Sequence, residues 1–165
     1  MKILCINVRK GIGDQIIFLP FIHAISRKFK IPVSLLAKES SKAKELFSED
    51  DFIDEVINLE KDMDGFKGMI KLFKEIKKRN FDKIFIFNSS LRYNLIAKFA
   101  GIKKIYQYPL FKKSNQHIIK PAIKLIKNNL DLDISNNPQI KINKDLKEAA
   151  IIKFNIKKDE LNILL

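Results

Sequence analysis

Cysteine, tryptophan and glycine are scarce in this chain of 165 residues, which has one Cys, no Trp and five Gly. The lone Cys5 excludes an internal disulfide framework and any zinc site built from a cluster of cysteines. Its place inside an apolar run predicts a small buried hydrophobe in a reducing cytoplasm. Long hydrophobic runs are missing as well. No stretch approaches the roughly 20 apolar residues that a membrane span needs. The apolar opening is too short for a signal-peptide core and is interrupted by Arg9 and Lys10 without a small-residue cleavage site. Arginine is the third shortage, with four Arg among 32 basic residues. Phosphate and base readout favour the forked guanidinium, so a net charge of +13 carried mostly by Lys is weak support for a nucleic-acid partner.

What is abundant points to a soluble globular protein. Apolar residues make up 46% and include 13 Phe, enough for a sizeable core. The length suits one domain, with or without an appendage, and is too short for two full lobes. The charge surplus is local. Residues 61–130 carry seventeen basic and four acidic side chains, whereas residues 1–60 balance at nine each and residues 131–165 at six each. A solvated helix face accounts for that surplus most simply.

Strand and helix signals alternate. Residues 2–8 form a continuous apolar run, the mark of a parallel strand covered on both faces. Residues 32–37, 53–59, 81–87 and 103–108 read as four more strands. Helical spacing marks 15–29, 40–47, 65–79, 91–99, 116–130 and 144–154. Asp14 stands at the N-cap position of the first helix, a serine is expected to cap the second, and Pro20 is expected to kink the first. The pattern predicts an α/β fold, a Rossmann-like doubly wound parallel sheet with strand 1 central and the switch point between strands 1 and 4. Residues 1–130 are expected to form that lobe. Residues 131–165 read as a polar linker, a helix and, at 161–165, the first strand of a further unit, so that the protein would be incomplete as it stands.

Ligands of such sheets bind beyond the carboxyl ends of strands at the switch point, here the turns at 9–14 and 88–92. Gly11 and Gly13 begin a dinucleotide fingerprint, but its third glycine is replaced by Ile16, and there is no Gly-Lys-Ser/Thr to make a phosphate-cradling loop. The two glycines allow a tight turn and close approach of a ligand to the backbone. Asp14 is open to two readings, a helix cap or a catalytic or binding carboxylate. With Asp14 present, a neutral hydroxyl is the better guest than an anion. Ser89 and Ser90 lack the strained turn of a hydrolase nucleophile, and either cap the next helix or hydrogen-bond a polyhydroxylated substrate. His23 reads as structural, and His117 as structural or ligand-contacting. No spacing reads as a metal site.

Taken together, Arg9, Gly11, Gly13, Asp14 and Pro20 in residues 1–20 resemble the opening of family 9 glycosyltransferases, the ADP-heptose:lipopolysaccharide heptosyltransferases. Residues 81–101 resemble that family's fourth strand, polar turn and helix, with Asn88-Ser89 where the family usually has Gln-Gly. His117 matches a His that often follows its fifth strand. The resemblance implies the N-terminal, acceptor-binding lobe of a two-lobed GT-B enzyme. It also implies inverting, metal-independent transfer of a heptose or related sugar from a nucleotide-sugar donor to an inner-core saccharide, without a cofactor. Asp14 is then the general base. Arg9, Gly11, Gly13, Asn88, Ser89, Ser90, Arg92 and His117 are the expected substrate contacts. The partners implied are ADP-heptose and an anionic lipid-linked saccharide at the cytoplasmic face of the inner membrane, towards which the seven Lys of residues 101–130 would be drawn. The rival readings are a non-catalytic Rossmann-like binding module and a basic nucleic-acid-binding domain.

Overall fold

A computed structural model describes residues 1–63, 65–109, 118–134 and 137–156. Five strands, β1 (Ile3–Asn7), β2 (Val33–Lys38), β3 (Ile53–Leu59), β4 (Lys83–Ile86) and β5 (Lys104–Gln107), alternate with α1 (Ile12–Phe29), α2 (Ala43–Leu46), α3 (Gly65–Arg79) and α4 (Leu91–Phe99). Helices α5 (Ile119–Leu130) and α6 (Lys144–Lys153) follow. The sheet is parallel throughout, in the order β3-β2-β1-β4-β5. The chain winds outward from β1 through β2 to β3, then crosses back to lay β4 on the other side of β1. The switch point therefore falls between β1 and β4, as the alternation of elements predicts.

The apolar run of β1 exists because both of its faces are covered. Ile3 and Cys5 join Phe18, Phe21, Ile25, Phe85 and Ile126 in the core beneath α1 and α5. Leu4 and Ile6 pack on the opposite side with Leu72, Ile76, Ile84 and Ile96 beneath α3 and α4. Each buried aliphatic or Phe side chain contributes about 1.5–3 kcal/mol. Cys5 sits fully inside, and burial pushes its thiol well above the ordinary value.

Several local expectations are corrected. The N-cap of α1 is Gly11, in extended geometry and with no side-chain cap, so Asp14 lies inside the first helical turn rather than at its cap. Gly13 likewise belongs to that turn and not to the loop. The helix continues through Pro20 to Phe29. The expected helix at 40–47 is split into a 3-10 turn, Glu39–Ser41, and the short α2, because Lys42 between them takes a left-handed φ of 55°. No serine caps α2. Ser41 instead donates its hydroxyl to the Lys38 carbonyl at 2.6 Å. The polar stretch after α5 does not hang free, for Leu132, Ile134 and Ile140 pack against the α1 core and Lys141 pairs with Asp51 at 2.8 Å. Asn143 caps α6 by accepting from the Asp145 and Leu146 amides. The expected strand at 161–165 and His117 lie outside the described residues.

Candidate functional site

Parallel pairing of Ile6 with Ile86 sets the ends of β1 and β4 side by side. The Phe87 amide continues the ladder by donating to the Ile6 carbonyl at 3.0 Å. The β1–α1 loop, with Arg9 and Gly11, and the first turn of α1, with Gly13 and Asp14, thus open beside the β4–α4 turn of Asn88, Ser89 and Ser90.

The first turn is held by an amide clamp. Asn7, fully buried at the end of β1, donates from Nδ2 to Gln15 Oε1 at 3.1 Å. Gln15, buried in α1, returns hydrogen bonds from Nε2 to the carbonyls of Asn7 and Arg9, both at 3.2 Å. Two side chains thus satisfy the backbone of a loop that leaves a buried strand. Gly11 has a spatial reason. A Cβ there would stand 3.2 Å from Asp14 Oδ2, so its absence lets the carboxylate fold back over the start of the helix. A Cβ at Gly13 would meet nothing within 4 Å, which leaves the face next to Asp14 open. Asp14 itself is half-buried.

The second turn is held from β5. Gln107 donates from Nε2 to the carbonyls of Asn88 at 3.0 Å and Ser90 at 2.8 Å, and accepts from Asn94 Nδ2 at 2.7 Å. Ser90 occupies the N-cap position of α4 but its side chain makes no cap bond. Arg92 donates from Nη2 to the Met63 carbonyl, in the 3-10 turn that follows β3, and lies 5.7 Å from the Tyr93 ring centre.

At or just beyond the carboxyl ends of β1, β4 and β5, polar atoms are buried without hydrogen-bond partners among the described residues: Asn7 Oδ1, Arg9 Nε, Asn88 Oδ1 and the Tyr108 hydroxyl. The Arg9 guanidinium rests 5.2 Å from the centre of Phe18, and Phe18 packs on Phe87, which meets Tyr108 edge-on at 6.1 Å. Burial raises the Tyr108 pKa, and the charge of Arg9 opposes that shift. Buried polar groups in native folds are completed by protein, water or a bound group. This cluster offers both donors and acceptors, a set suited to a hydroxyl-rich ligand.

Asn7, Gln15, Gln107 and Tyr108 are the residues that sequence reading missed. One signal was available, a lone Asn at the end of an apolar strand. His23 lies elsewhere. Its Nε2 is 2.8 Å from Asp50 Oδ2, both side chains are buried, and the ring meets Phe52 at a tilt with centres 4.6 Å apart, a structural arrangement in the second half of α1. A cleft of about 460 Å³ beside it, lined by Pro20, His23, Arg27, Asp133 and Asn137, is far along α1 from the strand carboxyl ends. Among the described residues no three His, Cys, Asp or Glu side chains gather as metal ligands.

Cys5 and Tyr108 together set an alkaline limit. Both fold as neutral groups, whereas in the unfolded chain they ionise around their ordinary values of 9.0 and 10.0. The unfolded state then loses protons that the folded state keeps, so stability falls as pH rises above about 9. The melting temperature is expected to drop between pH 8 and pH 11, and less steeply in a Cys5→Ala, Tyr108→Phe variant referenced to its own value at pH 8. Parallel curves for the two proteins would remove this assignment.

No protein-family model and no curated protein sequence matches the chain. Solved structures do. A family 9 glycosyl transferase from Veillonella parvula superposes with a TM-score of 0.73 at 15% identity, over 97% of this chain and 51% of its own. The ADP-heptose lps heptosyltransferase II of E. coli gives 0.70 at 17% identity, over 96% of this chain and 52% of its own. The E. coli heptosyltransferase WaaC with ADP gives 0.59 at 13% identity, over 96% and 55%. The fold is that of half a GT-B glycosyltransferase. The chain spans about half the length of the solved structures it matches.

Proposed function

We propose that this chain is the acceptor-binding lobe of a glycosyltransferase that moves a heptose or related sugar from a nucleotide donor, ADP-heptose by analogy, to a hydroxyl of a lipopolysaccharide inner-core saccharide. The observation that carries this reading is the placement of Asp14. Its carboxylate occupies the first turn of α1 at the switch point, folded over Gly11 and beside the open face of Gly13. Three solved glycosyltransferases that share the fold support it.

In the proposed reaction Asp14 accepts the proton of the acceptor hydroxyl as its oxygen forms a bond to the anomeric carbon. The bond from that carbon to the diphosphate breaks, its electron pair leaves with ADP, and the configuration inverts. Asn88, the Ser89 and Ser90 turn and the Tyr108 hydroxyl would hold the saccharide, with Arg9 towards its anionic groups. Arg92, bonded to the Met63 carbonyl, is kept as a proposed substrate contact. His117 is kept as a proposed acceptor contact. No metal or cofactor enters this scheme.

The donor half would come from further residues or a partner. Helix α6 exposes Leu146, Ile152 and Phe154 at 59% or more, an apolar surface that supports such a neighbour. Residues 1–130 are accordingly proposed as the acceptor lobe and 131–165 as the passage to the donor lobe. The proposed lipid-linked, anionic acceptor supports a cytoplasmic protein that is peripheral on the cytoplasmic face of the inner membrane. The test is sugar transfer from ADP-heptose to a lipid-free inner-core saccharide. The 165 residues alone are expected to give none, and turnover to appear when a donor lobe is joined after Leu165. Robust turnover by the chain alone would overturn the division of labour, and silence in both forms would overturn the reading.

A further inference from the structure

Helices α3 and α4 leave a shallow apolar groove on the outer face of the molecule, of about 330 Å³ and lined by Met69, Ile70, Phe73, Ile96 and Phe99. Its lips are large hydrophobic side chains in water: Phe99 is 71% exposed and Ile70 46%. The sheet needs neither of them, since α3 turns Leu72 and Ile76 inward and α4 turns Ile96 and Ala97 inward. Polar residues would serve at those outer positions if only folding were at stake.

The helix that forms one wall of the groove is mainly basic. α3 holds six basic side chains, Lys67, Lys71, Lys74, Lys77, Lys78 and Arg79, against the single acid Glu75. Lys71 is engaged by Glu60 and Asp62, and Arg79 by Glu55 and Glu75. Lys67, Lys74 and Lys77 are exposed and in no ion pair among the described residues. Helical spacing of three and four residues sets them next to Ile70 and Phe73, and Lys77 Nζ stands 5.4 Å from the Phe73 ring centre. An apolar strip with aromatic and aliphatic tips, edged by lysines, matches the boundary between lipid headgroups and acyl chains, where apolar side chains enter and ammonium groups meet phosphate.

We infer that the α3–α4 groove is a docking surface for an anionic lipid membrane, with Phe99 and Ile70 entering the headgroup layer and Lys67, Lys74 and Lys77 contacting lipid phosphates. The inference takes from the proposed transferase only its reason for visiting a membrane. α4 begins at the Ser90 turn and ends at Phe99, a rise of roughly 12 Å over its length, so a membrane held at the groove lies close to the candidate site.

Vesicle co-sedimentation tests this without any sugar transfer. The chain is expected to bind vesicles containing phosphatidylglycerol and to leave vesicles of pure phosphatidylcholine unbound, with binding falling as salt rises. Ile70→Ser with Phe99→Ser is expected to weaken binding about tenfold without lowering the melting temperature, because both side chains face solvent. Lys74→Glu with Lys77→Glu, which leaves the apolar lips in place, is expected to weaken it by a similar factor. Absence of binding to phosphatidylglycerol vesicles would overturn the inference. So would binding unchanged by both double variants, or a dimer in solution that the Ser variant dissociates, which would assign the groove to a second copy. Transfer to a lipid-free acceptor is unaffected by all these outcomes, so the proposed activity stands or falls separately.

Discussion

Asp14→Asn is expected to lower the rate of sugar transfer by about 10²–10⁴-fold in any assembly where the donor half is supplied, since an amide cannot take the acceptor's proton. The fold should hardly notice. The Asp14 side chain caps nothing, and what the variant loses is a favourable charge in the first turn of α1, about 0.3–1 kcal/mol. The diagnostic is therefore a pair of measurements, the transfer rate and the denaturant midpoint of the same protein. A collapsed rate with a nearly unchanged midpoint assigns the base. An unchanged rate reduces Asp14 to a charge that favours the helix start, and the proposed chemistry would lose its base.

Phe18→Ala is expected to have the largest effect on stability. Phe18 is fully buried, 6.0 Å from Phe21 and 5.4 Å from Phe87, ring centre to ring centre, and carries the Arg9 guanidinium on its outer face. Truncation leaves a cavity where α1 meets β4, at a cost of about 3–5 kcal/mol, a large share of the roughly 5–15 kcal/mol that separates folded from unfolded domains. Urea unfolding reads it as a midpoint shift at constant slope. A midpoint within experimental scatter of the original would show that this contact does not join the helix to the sheet.

The strands were legible because each is buried on both faces. An unbroken apolar run such as residues 2–8 leaves little choice, and all five strands fall within two residues of their expected bounds. Helix starts were harder. A carboxylate three residues into a helix and one at its cap look alike in sequence, and only the extended geometry of Gly11 separates them for Asp14. The split at Lys42 was invisible because a lysine at a positive φ carries no compositional mark, unlike a glycine. The candidate site was legible where its residues follow one another along the chain, as with Arg9, Gly11, Gly13 and Asp14, which the structure gathers at the end of β1. It was hidden where it depends on pairing across the sheet. Gln107 reaches the Asn88 turn only because β5 lies beside β4, and Tyr108 meets Phe87 for the same reason.

The reciprocal amide pair of Asn7 and Gln15 separates two properties of the β1–α1 turn. The path of the backbone is fixed from beneath, by side chains buried below the loop. The exposed side chains of Lys10 and Ile12 make no hydrogen bond to it among the described residues. Those two positions can therefore change identity without rerouting the loop, so the surface beside Asp14 can vary while the turn beneath it keeps its shape.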